Sequence, residues 1–248
     1  MSKYTVNAGW DDVPHLSEQE KAEQLAAYQP YQRDARSKGL PLLGAGAIYP
    51  VSEEYVLCDP FEIPDWMPQC YALDVGWQVT AAIWAAHDPN TDVVYLYSEH
   101  YKREAEPPMH ANAILARGRW IPGVIDPAAR GRNQKDGTKL IDVYHKLGLE
   151  QLFPATNELE AGIHECWIRL STGRMKAFRT LTSWLNEYRF YQRDEKGKVK
   201  ADQPDHAMDC MRYIINSGLT RASVRPASQW TMRGTRPRHE SAYDPLRY

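Results

Sequence analysis

Apolar positions in this chain fall into blocks whose spacing changes along its length. From Cys70, the run Tyr71-Ala72-Leu73-Asp74-Val75-Gly76 is apolar but for one acid near its end, and Thr80 to Ala86 is apolar throughout. Short runs of this kind, bounded by turn residues, read as buried strands. Pro89-Asn90 marks a turn, and Val93 to Tyr97, rich in β-branched and aromatic residues, reads as a third strand. Three consecutive strands on short turns predict an antiparallel meander. Helical spacing then takes over at Pro108 to Arg117 (closed by Gly118), Lys139 to Leu147 (closed by Gly148), Glu158 to Leu170, Thr180 to Glu187, and Asp205 to Ser217 (closed by Gly218). Between them Trp120 to Ile125 and Leu152-Phe153 read as strands, and Tyr188 to Lys200 as a hairpin around Glu195-Lys196-Gly197-Lys198. A meander followed by alternating helices and strands predicts an α/β protein with a mixed central sheet and helices on both faces. That element order matches an RNase H-like fold.

The flanks have another character. Ser17 and Glu20 form a capping box that opens a helix running to about Tyr28 and stopped by Pro30. Tyr31 to Lys38 reads as a second helical piece, after which Pro41, Gly44, Gly46, Pro50, Pro60, Pro64 and Pro68 mark an extended, turn-rich arm. The chain therefore divides into an arm over residues 1–68, a folded unit over 69–220 and a basic tail over 221–248. The tail carries Arg221, Arg225, Arg233, Arg236, Arg238 and Arg247 against Glu240 and Asp244, and reads as disordered or loosely attached.

Composition narrows the classes. At 248 residues with 43% hydrophobic positions, the chain builds a core without disulfides or structural metal. Cys58, Cys70, Cys166 and Cys210 make no CxxC pair, which sets aside a zinc ribbon and a thioredoxin-like motif and leaves buried free thiols. The formal net charge is −2, from 30 basic and 32 acidic residues. A protein holding nucleic acid by bulk charge would be strongly basic, so any DNA contact must come from local patches. There is no apolar run of about 18 residues to span a membrane, and Met1 to Trp10 lacks the apolar stretch of a signal peptide. The expected location is the cytoplasm.

The candidate chemistry lies in the acids. Asp74 sits inside an apolar run, where a carboxylate costs several kcal/mol unless paired, hydrogen-bonded or metal-bound. Asp126 ends Val124-Ile125 in the same way, and Asp205 and Asp209 lie four residues apart on one helix face. Taken singly, each has an ordinary reading: a turn or cap residue at a strand end, a solvated helix face, and for Asp205, following Pro204, a helix N-cap. Taken together, two strand-end acids and a late helical pair can converge on one sheet edge. Oxygen ligands of this kind suit Mg²⁺ or Mn²⁺, and two such ions about 4 Å apart clamp a phosphodiester for in-line attack by water.

Ala72-Leu73-Asp74-Val75-Gly76-Trp77, Val124-Ile125-Asp126-Pro127-Ala128-Ala129 and Asp205-His206-Ala207-Met208-Asp209-Cys210-Met211-Arg212-Tyr213 resemble, in that order, the three acidic motifs of tailed-phage terminase large-subunit nucleases. The arm is similar to the segment linking ATPase and nuclease in that family, at Trp10-Asp11-Asp12-Val13-Pro14-His15-Leu16-Ser17, Arg33-Asp34-Ala35-Arg36-Ser37-Lys38-Gly39 and Ile48-Tyr49-Pro50-Val51. The resemblance covers roughly residues 5 to 220 and implies an RNase H-like endonuclease that cuts concatemeric viral DNA during genome packaging. It assigns catalytic and metal-binding roles to Asp74, Asp126, Asp205 and Asp209, with two Mg²⁺ or Mn²⁺ ions. It also implies double-stranded DNA, an ATPase domain, a small terminase subunit and a portal protein as partners, in the cytoplasm of an infected bacterial host. No GxxxxGK[ST] phosphate loop occurs, so ATP hydrolysis is not expected of this chain. A junction resolvase and a catalytically silent docking module are the alternatives.

Secondary features follow from charge. Arg130, Arg132, Lys135 and Lys139 leave the same strand end as Asp126 and suit DNA phosphate contacts. Lys196 and Lys198, with Arg189 and Arg193 nearby, make the expected hairpin a second DNA-contacting candidate or a plain exposed turn. His206 reads as a helix-surface residue, with orientation of a ligand as the other reading. The tryptophans read as core or arm anchors. His164-Glu165 lacks the second histidine of HExxH, which sets aside a zinc protease.

Overall fold

The structure, a computed structural model, describes residues 9–10, 16–27, 37, 46–131 and 139–229. Helix α1 (Glu18–Ala27) opens on the expected capping box, and a four-residue helix α2 (Glu53–Val56) follows it. The Glu20 carboxylate accepts from the Ser17 amide at 2.9 Å and hydroxyl at 2.7 Å, and the Glu20 amide donates back to Ser17 Oγ at 3.3 Å. The helical piece expected over Tyr31 to Lys38 lies outside the described residues, Ser37 apart.

Among the described residues seven strands form one sheet: β1 (Leu57–Cys58), β2 (Gln69–Val75), β3 (Thr80–Asp88), β4 (Val93–Lys102), β5 (Gly123–Ile125), β6 (Leu152–Pro154) and β7 (Met175–Phe178). Their order is β1-β7-β4-β3-β2-β5-β6. The antiparallel meander is β2-β3-β4, as expected, while β5, β6, β7 and β1 join as parallel strands. β1 and β7 were not expected. They are two and four residues long, and pairing with their neighbours makes them strands. β5 begins at Gly123 rather than Trp120. A Cβ on Gly123 would stand 2.1–2.5 Å from the Tyr71 ring atoms, so only glycine lets that ring lie across the strand.

Period-two alternation divides the core between the two faces of the sheet. Tyr71, Leu73, Ala82, Trp84 and Ile125 face helices α3 (Pro107–Leu115) and α4 (Leu140–Lys146). Cys70, Ala72, Ala81, Ile83, Ala85 and Val124 face α5 (Leu159–Ser171), α6 (Thr182–Phe190) and α7 (His206–Tyr213). The alanines on this second face allow α7 close to the strands, and Cys210 Sγ donates to the Ala81 carbonyl at 3.4 Å. After Tyr213 the α-helix gives way to a π-helical turn, Ile214–Gly218, so the chain is helical as far as the expected Ser217 but more loosely wound over its last turn.

Two expectations about the flanks need revision. Ile48, Tyr49, Val51 and Val56 are buried with α5 and α6, and Tyr188 donates its hydroxyl to the Val51 carbonyl at 2.8 Å. Part of the stretch read as arm therefore contributes to the core, while Asp59 to Glu62 are exposed. These apolar residues come in ones and twos broken up by Pro50 and the polar Ser52, Glu53 and Glu54, so no periodicity announces them. At the other end, Ser223 bridges to Gln69, Arg225 pairs with Asp65 at 2.6 Å, and Arg221 lies over the Phe153 ring. The tail's first residues thus pack on the body, and residues 230–248 lie outside the description. The hairpin expected over Tyr188 to Lys200 is shorter: α6 runs to Phe190, and the chain then turns back with the antiparallel bridge Arg193↔Val199, the Asp194 amide donating to the Lys198 carbonyl and the Lys200 amide to the Gln192 carbonyl. All four cysteines are free, three of them buried. Among the described residues no helix is long and apolar enough to cross a membrane.

Candidate active site

Strand register sets the first two acids side by side. Leu73 and Ile125 are partners on the parallel pair β2/β5, so Asp74 and Asp126 are the next residues on adjacent strands. The Asp126 amide donates to the Leu73 carbonyl at 3.0 Å. Alternation from Cys70 and Ala72 points Asp74 to the α7 face, where it is 9% exposed. Asp126 Oδ1 accepts from the Ala128 amide at 3.0 Å, which caps the 3₁₀ turn Pro127–Arg130, so this acid also does the ordinary work of a cap.

Helix α7 brings the rest. Asp205 stands at its N-cap position but makes no side-chain cap hydrogen bond, contrary to the ordinary reading of that residue. The orphan amides of the first turn go to Glu187 of α6, whose Oε2 accepts from Ala207 N at 2.6 Å and Met208 N at 3.3 Å. His206 is half-buried, and its Nδ1 lies 2.7 Å from Asp74 Oδ2. Asp209 Oδ1 accepts from Arg212 at 2.8 Å, and Arg212, 2% exposed, also donates to Asn157 Oδ1 at 2.7 Å.

The electrostatics show the acids acting on one another. Burial, and then the Asp209 charge, push the Asp205 carboxyl up to about 6, with Asp74 and Glu187 adding. Burial raises Asp209 as well; Arg212 opposes this, and Asp74 and Asp126 reinforce it. The hydrogen bond that His206 donates to Asp74 raises His206. Four carboxylates from two strand ends and one helix start thus lie within electrostatic reach of one another. An open cleft of about 670 Å³, lined by Gln78, Tyr101, Arg103, Asp205 and His206, adjoins them.

No family model matches the sequence. Over 221 residues, 86% of the chain, it is 31% identical to the terminase large subunits of Enterobacteria phage LP7 and Salmonella phage P22. Its fold superposes on the P22 large terminase nuclease domain with a TM-score of 0.67 and 29% identity, covering 74% of this chain and 97% of that one. In sequence and fold alike, the chain matches the nuclease domain of the terminase large subunit. It spans 46% and 44% of the length of the two phage relatives. The large terminase nuclease of thermophilic phage G20c, solved with bound cobalt, shares the fold at a TM-score of 0.52 and 12% identity, over 70% of this chain and 98% of that one. The RNase H-like architecture expected of the mixed sheet is the fold of this terminase nuclease domain.

The basic candidates are scattered around the terminase nuclease domain. Arg130 is exposed at the end of the 3₁₀ turn after Asp126, and Lys139 immediately precedes α4. Arg132 and Lys135 lie outside the described residues. Lys196 and Lys198 are exposed on the turn, with both backbone amides donating to Asp194 Oδ1 at 2.9 Å. Arg189 and Arg193 do not add free positive charge there, since Glu53 and Glu160 engage them bidentately. Trp77, read as an anchor, is instead 65% exposed three residues beyond Asp74. Sequence reasoning missed Glu187, Tyr101 and Arg212. Only Arg212 left a trace, its three-residue spacing from Asp209 on a predicted helix.

Divalent ions suit this donor set in chemistry and charge. The acids offer hard oxygens only, and Asp205 is raised in part by the Asp209 charge and Asp209 by those of Asp74 and Asp126, which a cation would relieve. Among the described residues, no three metal-ligating side chains stand close enough to hold an ion as they are. His206 on Asp74 and Arg212 on Asp209 supply the compensation present within the chain.

Proposed function

We propose that this chain is a divalent-metal-dependent DNA endonuclease that hydrolyses phosphodiester bonds and cuts concatemeric viral DNA during genome packaging. The observation that carries the reading is the gathering of Asp74, Asp126, Asp205 and Asp209 at one sheet edge of a terminase nuclease fold. These four would hold two ions, Mg²⁺ or Mn²⁺, which when bound neutralise phosphate charge and make a water acidic enough to attack at neutral pH. The cobalt in the G20c nuclease supports a metal-dependent reaction. The strand register holds Asp74 and Asp126 rigidly, and α7 sets Asp205 and Asp209 against them. Arg130 and Lys139 flank the loop leaving Asp126 and would take DNA phosphates with Arg132 and Lys135, while Lys196 and Lys198 would take them from the turn. Double-stranded DNA is the substrate in this reading, with the ATPase domain, small subunit and portal protein of a packaging machine as partners.

The test is cleavage of supercoiled plasmid with Mg²⁺, Mn²⁺ or EDTA, beside Asp74→Asn and Asp126→Asn. Cutting should require metal and fall by about a thousandfold or more in each variant, the scale on which losing a transition-state stabiliser acts. Cutting that persists in EDTA, or is undiminished in both variants, refutes the reading.

A further inference from the structure

Glu187 is 2% exposed, yet it is not one of the acids the sequence motifs single out. All its contacts are inward. Tyr101 donates its hydroxyl to Oε1 at 2.7 Å, and the amides of Ala207 and Met208 donate to Oε2 at 2.6 and 3.3 Å. A helix start leaves its first amides without intrahelical partners. In α7 the residue at the cap position, Asp205, gives them nothing. A carboxylate from another helix caps α7 in its place, and its negative charge sits at the positive end of the helix dipole.

The position of Tyr101 gives this cap a further use. Asp74 pairs with Ala81 across β2/β3, and Ala81 pairs with Tyr101 across β3/β4. Directly paired residues on adjacent strands share a face, so Asp74, Ala81 and Tyr101 form one row across the sheet on the α7 side. One end of the row is a site acid. The other end holds Glu187, and Glu187 holds the first turn of α7, which carries Asp205, His206 and Asp209. His206 closes the circuit on Asp74 at 2.7 Å.

We propose that Glu187 is a positioning residue: it caps α7 in place of Asp205 and, through Tyr101, fixes Asp205 and Asp209 in register with Asp74, leaving the Asp205 carboxylate available to a metal ion. The inference rests on the metal site proposed above. It predicts that losing Glu187 loosens the start of α7 and weakens metal uptake without touching the metal. Partners of this kind are worth about 10–100-fold in metal affinity or activity.

The experiment compares the full chain with Glu187→Ala, Glu187→Gln and Tyr101→Phe. Mn²⁺ affinity is read by paramagnetic resonance on protein shown to be folded by circular dichroism, amide exchange at Ala207 and Met208 without metal, and kcat and KM on plasmid. Glu187→Ala should bind Mn²⁺ at least about tenfold more weakly, exchange those two amides at least about tenfold faster, and lose kcat with KM little changed. Glu187→Gln keeps an acceptor oxygen and should recover most of each loss, and Tyr101→Phe should fall between. Wild type that binds Mn²⁺ beside a folded Glu187→Ala of equal affinity and equal exchange overturns the positioning role alone. Wild type that takes up no Mn²⁺ overturns the metal reading and this inference with it. Should Glu187→Ala not fold, Tyr101→Phe decides: wild-type Mn²⁺ affinity and exchange in that variant overturn the proposal.

Discussion

Replacing Asp205 by Asn should stabilise the metal-free chain while disabling it. In the fold, burial and the neighbouring Asp209 push the Asp205 carboxyl up to about 6, against about 3.9 for an unperturbed Asp. A shift of about 2 units corresponds to about 3 kcal/mol as a ceiling. The side chain keeps part of its contact with water, which lowers the figure to about 1–2 kcal/mol. Between about pH 4 and 6 the folded chain holds this proton and the unfolded chain does not, so the group lowers stability as pH rises across that window, and the loss persists above it. Asn carries no charge at any of these pH values. In EDTA at pH 8 the variant should therefore melt about 2–8 °C above wild type, at roughly 2–4 °C per kcal/mol for a chain of this size, and the gain should fade towards pH 4. Adding Mg²⁺ should raise the wild-type midpoint and leave the variant's nearly still, since a ligand stabilises only the fold that binds it. Thermal melts followed by circular dichroism at pH 4, 5 and 8 are sufficient. A variant less stable than wild type at pH 8, or one with the same gain at pH 4 and 8, would refute the view that these acids are held in mutual repulsion.

Three further outcomes follow from particular contacts. Arg212→Ala leaves Asp209 without its partner in a nearly closed site, and urea unfolding should show a loss of about 3 kcal/mol, part of which Mg²⁺ restores. His100 and His110 form a neutral pair, with Nε2 of His100 donating to Nδ1 of His110 and Nε2 of His110 donating to the Ala105 carbonyl. Burial lowers both, His100 to about 4, so the stability they supply is complete above about pH 6.5 and declines as pH falls towards 4. The stability difference between wild type and His100→Asn should shrink over that interval in urea titrations. Gly123→Ala drives a Cβ into the Tyr71 ring, which is buried against α3 and α4. A loss of about 1–3 kcal/mol is expected, and a neutral midpoint would show that the ring yields.

The sequence alone determined the meander, the helix-rich second half and the capping box at Ser17 and Glu20, and it singled out four acids as candidates for chemistry. Each is a local or periodic signal: apolar runs between turns, helical spacing, and charged residues at improbable positions inside apolar stretches. Tertiary structure decided what local pattern cannot encode. β7 is a strand because β4 offers it an edge, and β1 because β7 then offers the next; Ile48, Tyr49, Val51 and Val56 belong to the core because α5 and α6 need covering. Which residue caps α7 was also a tertiary matter. Asp205 has the sequence credentials, but Glu187, 18 residues earlier in the chain, reaches the amides first because α6 packs beside α7 and Tyr101 holds its carboxylate there. His206 and Arg212 acquire their roles in the same way, by facing carboxylates brought in by the register of β2 and the turn of one helix. Spacing along the chain names the charged groups, and only the folded sheet decides which of them compensate one another.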